Sequence, residues 1–365
     1  MPWPRDARTS WFVRAERGKE PKQPNAMRLN LPSLRHRAAG QSPAAAAMAA
    51  AGGRWISRDE AIMGTAIHVE LWHDDAPLGE RAIDAVMAEM HRVDRLMSPY
   101  KSDSELSLIN REACRRAVPV GAELFGLIER SLHFSRLSDG AFDITFASVG
   151  HLYDYRQAVV PDAAALERAR QAIGWRHLQL DAKHRSVRFG RDGMRIDLGG
   201  FAKGYVVDTS IAILKRLGIQ HAVVAAGGDS HVLGDRRGRP WSIAIRDPRD
   251  AKRVVAVLPL QDTSISTSGD YERFFERDGV RHHHLIDPAT GASPHGVRSV
   301  TILANDGLTS EGLSKCLFVM GMERGMRLVE SVPGADAVVV DATGALHFSS
   351  GLAAAGRSTG SETRQ

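Results

Sequence analysis

Apolar and polar residues alternate between Ile62 and Trp72, with Ile67, Val69 and Leu71 on one side, which predicts a half-buried strand. From Glu80 the spacing changes. Ile83, Val86, Met87, Met90, Val93, Leu96 and Met97 recur at helical intervals until Pro99 ends the pattern. The same reading gives a helix over Glu123–Arg136, a proline-started helix ending at Gly174, and strands at His177–Leu180 and Ser186–Phe189. A short strand, "MRI", then leads into a glycine-rich loop and a helix from Ala202 to Leu217, closed by Gly218. "HAVVAAGGD" reads as one buried strand, with "PWSIAIRDP" and "RVVAVLPL" as its antiparallel neighbours. The chain ends with a strand at "VRSVTILA", helices through "SEGLSKCLFVMG" and "GMRLVESV", and a hairpin turning at Thr343-Gly344. Helices mixed with many hairpin-length connections predict an α+β fold of mixed, largely antiparallel sheets with packed helices.

Composition adds one distinction. The net charge is +5, which suggests a polyanion partner until it is located. The first forty residues carry nine Lys or Arg against three Asp or Glu, so the rest of the chain is close to neutral. A neutral body argues against a nucleic-acid face. Residues 1–54 read as a basic, Ala/Pro-rich disordered tail, 55–351 as the folded domain, and 352–365 as a second disordered tail. The alanine run from Ala38 to Gly53 resembles a degraded signal-peptide core, and no stretch reaches the ~18 apolar residues of a membrane span. Cys114 and Cys316 are far apart, and the apolar "CLFVMG" predicts a buried free thiol at Cys316.

Three stretches carry chemistry. In "IDLGGFAKGYVVD" an acid, two glycines, a lysine and a third glycine occupy the eight positions Asp197–Gly204, just where a helix begins. Free N–H groups at a helix start attract anions, and Lys203 in that first turn opposes the helix dipole unless an anion accompanies it. The spacing matches neither a dinucleotide fingerprint nor a Walker loop. In "RHHHLIDPATG" adjacent histidines are poor chelators; one oriented imidazole is a candidate general base. "SDGAFDITFASVG" combines Phe142 and Phe146 with Asp143, Thr145 and Ser148, a mixture suited to a flat heterocycle, and Tyr100 is a further candidate for stacking.

"MGT" (63–65), "SPY…SELSLIN" (98–110), "GAFD" (140–143), "DLGGFAKG" (197–204), "AAGGD" (225–229), "STSGDYERF" (266–274) and "HLIDPATG" (284–291) follow one another in this order. Together they resemble the FAD:protein FMN transferase (ApbE) family over roughly Trp55 to Gly351. That resemblance implies a transferase that cleaves the FAD pyrophosphate. It joins FMN by a phosphoester to a Thr or Ser of an acceptor flavoprotein, such as a membrane redox-pump subunit, and releases AMP. It implies a periplasmic location and FAD contacts at Met63, Tyr100, Ala141, Phe142, Asp143, Asp197 and Lys203. It also implies a base at His284 and a Mg²⁺ held by the Gly200 carbonyl and a helix start that reads "A-D-A-L-S-T" in the family. Here that helix start is "SEGLSK": Glu311 stands for the aspartate, and Lys315 for a threonine ligand. An ammonium repels Mg²⁺, so a metal requirement does not follow, and Lys315 becomes a candidate catalytic cation. An exposed Glu311/Lys315 i, i+4 pair is the plainer alternative. An FAD pyrophosphatase and a non-catalytic flavin carrier are the competing functions.

Overall fold

The computed structural model describes residues 27–28 and 53–357. Its centre is an eight-stranded sheet in the spatial order Leu346–Phe348, Asp336–Asp341, Val297–Ala304, Thr263–Gly269, Asp229–Leu233, Ala222–Ala226, Thr65–His73, Arg54–Ile62. Every neighbouring pair in it is antiparallel. The helices Ala76–Met97, Ala202–Arg216 and Gly307–Met320 cover one face. The α+β expectation holds.

The period-2 rule explains both faces. Ala222, Val224 and Ala226 point into the core beneath the helices, whereas Val223 points to the other side with Val232, Ile265, Leu303 and Val338. There a second small sheet, Trp241–Arg246 paired with Val254–Leu260, supplies Trp241, Ile245, Ala256, Leu258 and Leu260. These two strands were expected beside the "HAVVAAGGD" strand. They lie across its face instead, because a central strand buried on both sides already has its edges paired.

Other boundaries move for identifiable reasons. The 62–72 strand is the second arm of a hairpin that starts at Arg54, turning at Met63 (φ 55°) and Gly64 (φ 67°). Two successive positive φ values match the right-handed twist of the flanking strands. "HAVVAAGGD" likewise holds one strand, Ala222–Ala226, which turns at Gly227 (φ 61°) into a second, Asp229–Leu233. The helix expected to reach Gly174 is Ala163–Arg170, capped by Asp162, and the next strand is Leu178–Asp181 after a single 3₁₀ turn. "MRI" forms no strand, although Met194 and Ile196 are buried. The tail expected from 352 begins as a helix, Ser350–Arg357, anchored by buried Leu352. Within the expected 1–54 tail, Met27–Arg28 pairs in parallel with Ala256–Val257; the remainder up to Gly52 lies outside the described residues, as do 358–365. Both cysteines are free thiols, and Cys316 is buried.

His231, inside the main sheet, is buried with neither ring nitrogen hydrogen-bonded, and burial pushes its pKa down to about 4. The unfolded chain takes up this proton near pH 6.5 and the folded one does not. Stability is therefore full above about pH 6.5 and lost as the pH falls towards 4. Between pH 7 and pH 5 this one ring should account for about 2 kcal/mol. Urea unfolding should show a pH-dependent loss smaller by that amount in His231→Leu. An equal loss in both proteins would contradict the assignment.

Candidate active site

The site forms where two helices touch backbone to backbone. A Cβ at Gly204 would lie 2.3 Å from the Gly307 carbonyl oxygen, so only glycine permits the Ala202–Arg216 and Gly307–Met320 helices to cross there. Each helix then caps the other. Asp208 accepts the Gly307 and Leu308 N–H groups at 2.6 and 3.1 Å, while Glu311 accepts the Gly204 N–H at 2.7 Å. The anion that the glycine loop attracts is thus a carboxylate of the chain itself.

Lys203 completes the arrangement. Its ammonium donates to the Gly199 carbonyl at 3.0 Å and to Glu311 at 2.5 Å, and pairs with Asp229 at 3.1 Å. The misfit expected to need a phosphate is relieved by these two acids, which hold the Lys203 pKa above the ordinary lysine value against the opposing effect of burial. Glu311 is fully buried, and burial and the nearby Asp229 raise its pKa while Lys203 and Lys315 lower it. This removes the alternative of an exposed Glu311/Lys315 pair. Ser266 donates to Asp229 at 2.6 Å, and the Ser314 hydroxyl lies 3.1 Å from Ser266 and 2.9 Å from Ser268. Buried hydroxyls so connected hold the carboxylates in place.

His284 sits one residue beyond the strand Val280–His283. Its backbone N–H donates to the Arg273 carbonyl at 3.0 Å, and the Arg273 guanidinium reaches the Gly64 carbonyl at 3.1 Å, so the Met63–Gly64 turn joins the same region. The His284 Nδ1 is buried without a partner. Burial first, then the positive charges of Arg273 and Lys315, push its pKa down to about 3. The imidazole is neutral at physiological pH. The other two histidines serve elsewhere: His282 stacks on Phe275, and His283 contacts the Pro294 carbonyl at 2.9 Å.

The remaining residues differ in role. Asp197 accepts the Gly199 N–H at 2.6 Å, and its own N–H donates to Ile144, tying the glycine loop to the Ala141–Asp143 turn. Burial raises its carboxyl pKa, with the Gly199 N–H and the Lys203 charge opposing. Asn110 of "SELSLIN" brackets Ile196 with two hydrogen bonds, at 2.9 and 2.8 Å. Phe142 and Asp143 need correction as side-chain contacts. The Phe142 ring is buried against Phe134 and Phe201, and the Asp143 carboxylate is used up on Thr145 and the Trp175 N–H. What this turn leaves for a ligand is Ala141, which is only half-buried, and backbone. Tyr100 is 89% exposed beyond the Ala76–Met97 helix and stacks on no ring among the described residues.

The resemblance implies a Mg²⁺ at this place. Among the described residues no three His, Cys, Asp or Glu side chains are grouped to hold a metal. Both Glu311 oxygens are committed, and the Lys315 ammonium lies 3.7 Å from one of them, its Cε 3.5 Å from where a Gly200 Cβ would be. At an effective dielectric of ~20, a doubly charged ion about 4 Å from an ammonium is repelled by about 8 kcal/mol. The residues present do not fit Mg²⁺. Asp229, Arg273, Asp208 and the serines were not singled out from sequence; Asp229 and Arg273 stood in the motifs "AAGGD" and "DYERF".

A family model described as ApbE family matches residues 63–339. The FAD:protein FMN transferase of Treponema pallidum (strain Nichols) is 34% identical over 307 residues, 79% of this chain and 84% of that protein. The enzyme of that name from Vibrio cholerae is 34% identical over 264 residues, 70% of this chain and 78% of its own length. Among solved structures, the ApbE protein from Thermotoga maritima superposes with a TM-score of 0.77 at 32% identity, covering 83% of this chain and all of that one. Flavin transferase ApbE from Vibrio cholerae gives 0.74 at 29% identity, over 83% and 99% of the two chains.

Proposed function

The chain belongs to the ApbE family, and we propose that it acts as an FAD:protein FMN transferase. FAD is its substrate, and the second substrate is a hydroxyl-bearing acceptor flavoprotein. The acceptor Thr or Ser oxygen attacks the FMN phosphorus, the P–O bond to AMP breaks with its electron pair, and the hydroxyl proton passes to a base. The observation that carries this reading is a neutral, unpartnered His284 imidazole held beside the cations Arg273, Lys315 and Lys203. A phosphoryl transfer needs positive charge around the diphosphate and an unprotonated base for the alcohol. His284 is the base in this reading, and Met63, Ala141, Asp197 and Lys203 surround the FAD.

A membrane redox-pump subunit is the acceptor class we propose, and the periplasm the compartment. No helix among the described residues is long and apolar enough to cross a membrane. Incubation with FAD, with and without an acceptor protein, tests the activity. Protein-bound flavin that survives denaturation is the expected result. Free FMN and AMP alone would make the protein a pyrophosphatase, and unchanged bound FAD would make it a carrier.

A further inference from the structure

Lys315 has less to hold it than its burial demands. Its side chain is only 15% exposed. An ammonium has three N–H donors, yet its partners among the described residues are the Ser314 hydroxyl at a long 3.4 Å and Glu311 at 3.7 Å, beyond hydrogen-bond length. Glu311 already receives Lys203 on one oxygen and the Gly204 N–H on the other. Lys203 differs on this point, with three partners at 3.1 Å or less. A buried cation with unspent donors is a site for an anion's oxygens. Its position is also favourable, since the stem passes along Gly200 of the glycine loop and the charge acts on His284.

We propose that the Lys315 ammonium is the resident cation of this site, binding the substrate's diphosphate directly, so that the chain engages a nucleotide diphosphate without a divalent metal. This rests on the transferase reading for the identity of the substrate. The ammonium supplies one positive charge at a fixed point, neutralising charge on the bridging phosphates as phosphate-binding lysines do. Burial lowers its pKa while Glu311 and Asp229 raise it, and a phosphate adds a third favourable charge.

The probe is ADP, which carries the diphosphate but no transferable FMN. Calorimetric titration of the full chain should give the same ADP affinity in EDTA and in millimolar Mg²⁺. Lys315→Met, which keeps the stem and removes the charge, should bind ADP about 10–150-fold more weakly, the range for losing one charge-assisted hydrogen bond. Lys315→Arg should retain most of the affinity. In the double variant Glu311→Asp, Lys315→Thr, ADP affinity should come to depend on Mg²⁺. A wild-type ADP affinity that collapses in EDTA would overturn the proposal, and this needs no variant to fold. Unchanged binding in folded Lys315→Met would overturn it as well. The two readings fail separately. FMN transfer with a strict Mg²⁺ requirement removes this inference and leaves the transferase, whereas metal-independent, Lys315-dependent ADP binding without any transfer does the reverse.

Discussion

Replacing His284 by alanine is expected to slow FMN transfer by about 10²–10⁴-fold while FAD still binds. The backbone at this position is fixed by its hydrogen bond to Arg273, and the Nδ1 atom has no competing partner. Because burial and the neighbouring cations hold the pKa down to about 3, the free protein presents an unprotonated imidazole throughout the neutral range. An ordinary histidine would lose its basic form as the pH fell through 6.5. Here kcat/KM, which reports ionisations of the free enzyme, should be flat from pH 8 to pH 5 as far as this group is concerned. Bound diphosphate brings negative charge and raises the imidazole pKa, so any acid limb should appear in kcat first. His283→Ala is the control. That ring packs edge-on against Phe318 and contacts the Pro294 carbonyl, so its loss should lower stability more than rate. Full transfer by His284→Ala, or a rate loss confined to His283→Ala, would remove His284 as the base.

Much of this site was readable in the order of short motifs, because each motif supplies one side of a contact now seen. Asp229 of "AAGGD" meets Lys203 of "DLGGFAKG", and Arg273 of "DYERF" meets Gly64 of "MGT". The helices were legible wherever an apolar stripe met a clear stop, as with Met97 before Pro99. Two kinds of feature were hidden. One is the strand Asp229–Leu233, which follows the turn at Gly227: its first three residues, Asp229, Ser230 and His231, are polar yet buried, so no apolar pattern marks it. The other is a partnership over a long separation. Nothing local tells that Glu311 reaches Gly204, 107 residues earlier, rather than solvent. Phe142 failed for a related reason. An aromatic ring beside polar residues looks alike in a ligand pocket and in a core, and here Phe134 and Phe201 claim it.

Lys203→Ala is expected to destabilise the fold by about 3–5 kcal/mol near neutral pH, the range for removing one partner of a buried ion pair. The side chain anchors two acids at once, and Glu311 behind it has no exposure to water. Without the lysine, Glu311 and Asp229 repel each other, and Lys315, at 3.7 Å from Glu311, is a weaker offsetting charge. The direction with pH follows. Burial and Asp229 already raise the Glu311 pKa above its unfolded value, and losing Lys203 raises it further. A carboxyl whose folded pKa exceeds the unfolded one binds its proton more tightly in the native state. Its burden on stability is therefore greatest at high pH and lightens as the pH falls through the folded pKa. The stability gap between wild type and Lys203→Ala should accordingly be widest at pH 8 and narrower at pH 5, measured by denaturant unfolding at both. Lys203→Arg, which keeps the charge, should recover part of the loss. A Lys203→Ala protein of unchanged stability that merely loses FAD affinity would make this lysine a phosphate ligand only, and not also the clamp between two helices. A gap that widened on acidification would show that the acids, not the lysine, hold the crossing together.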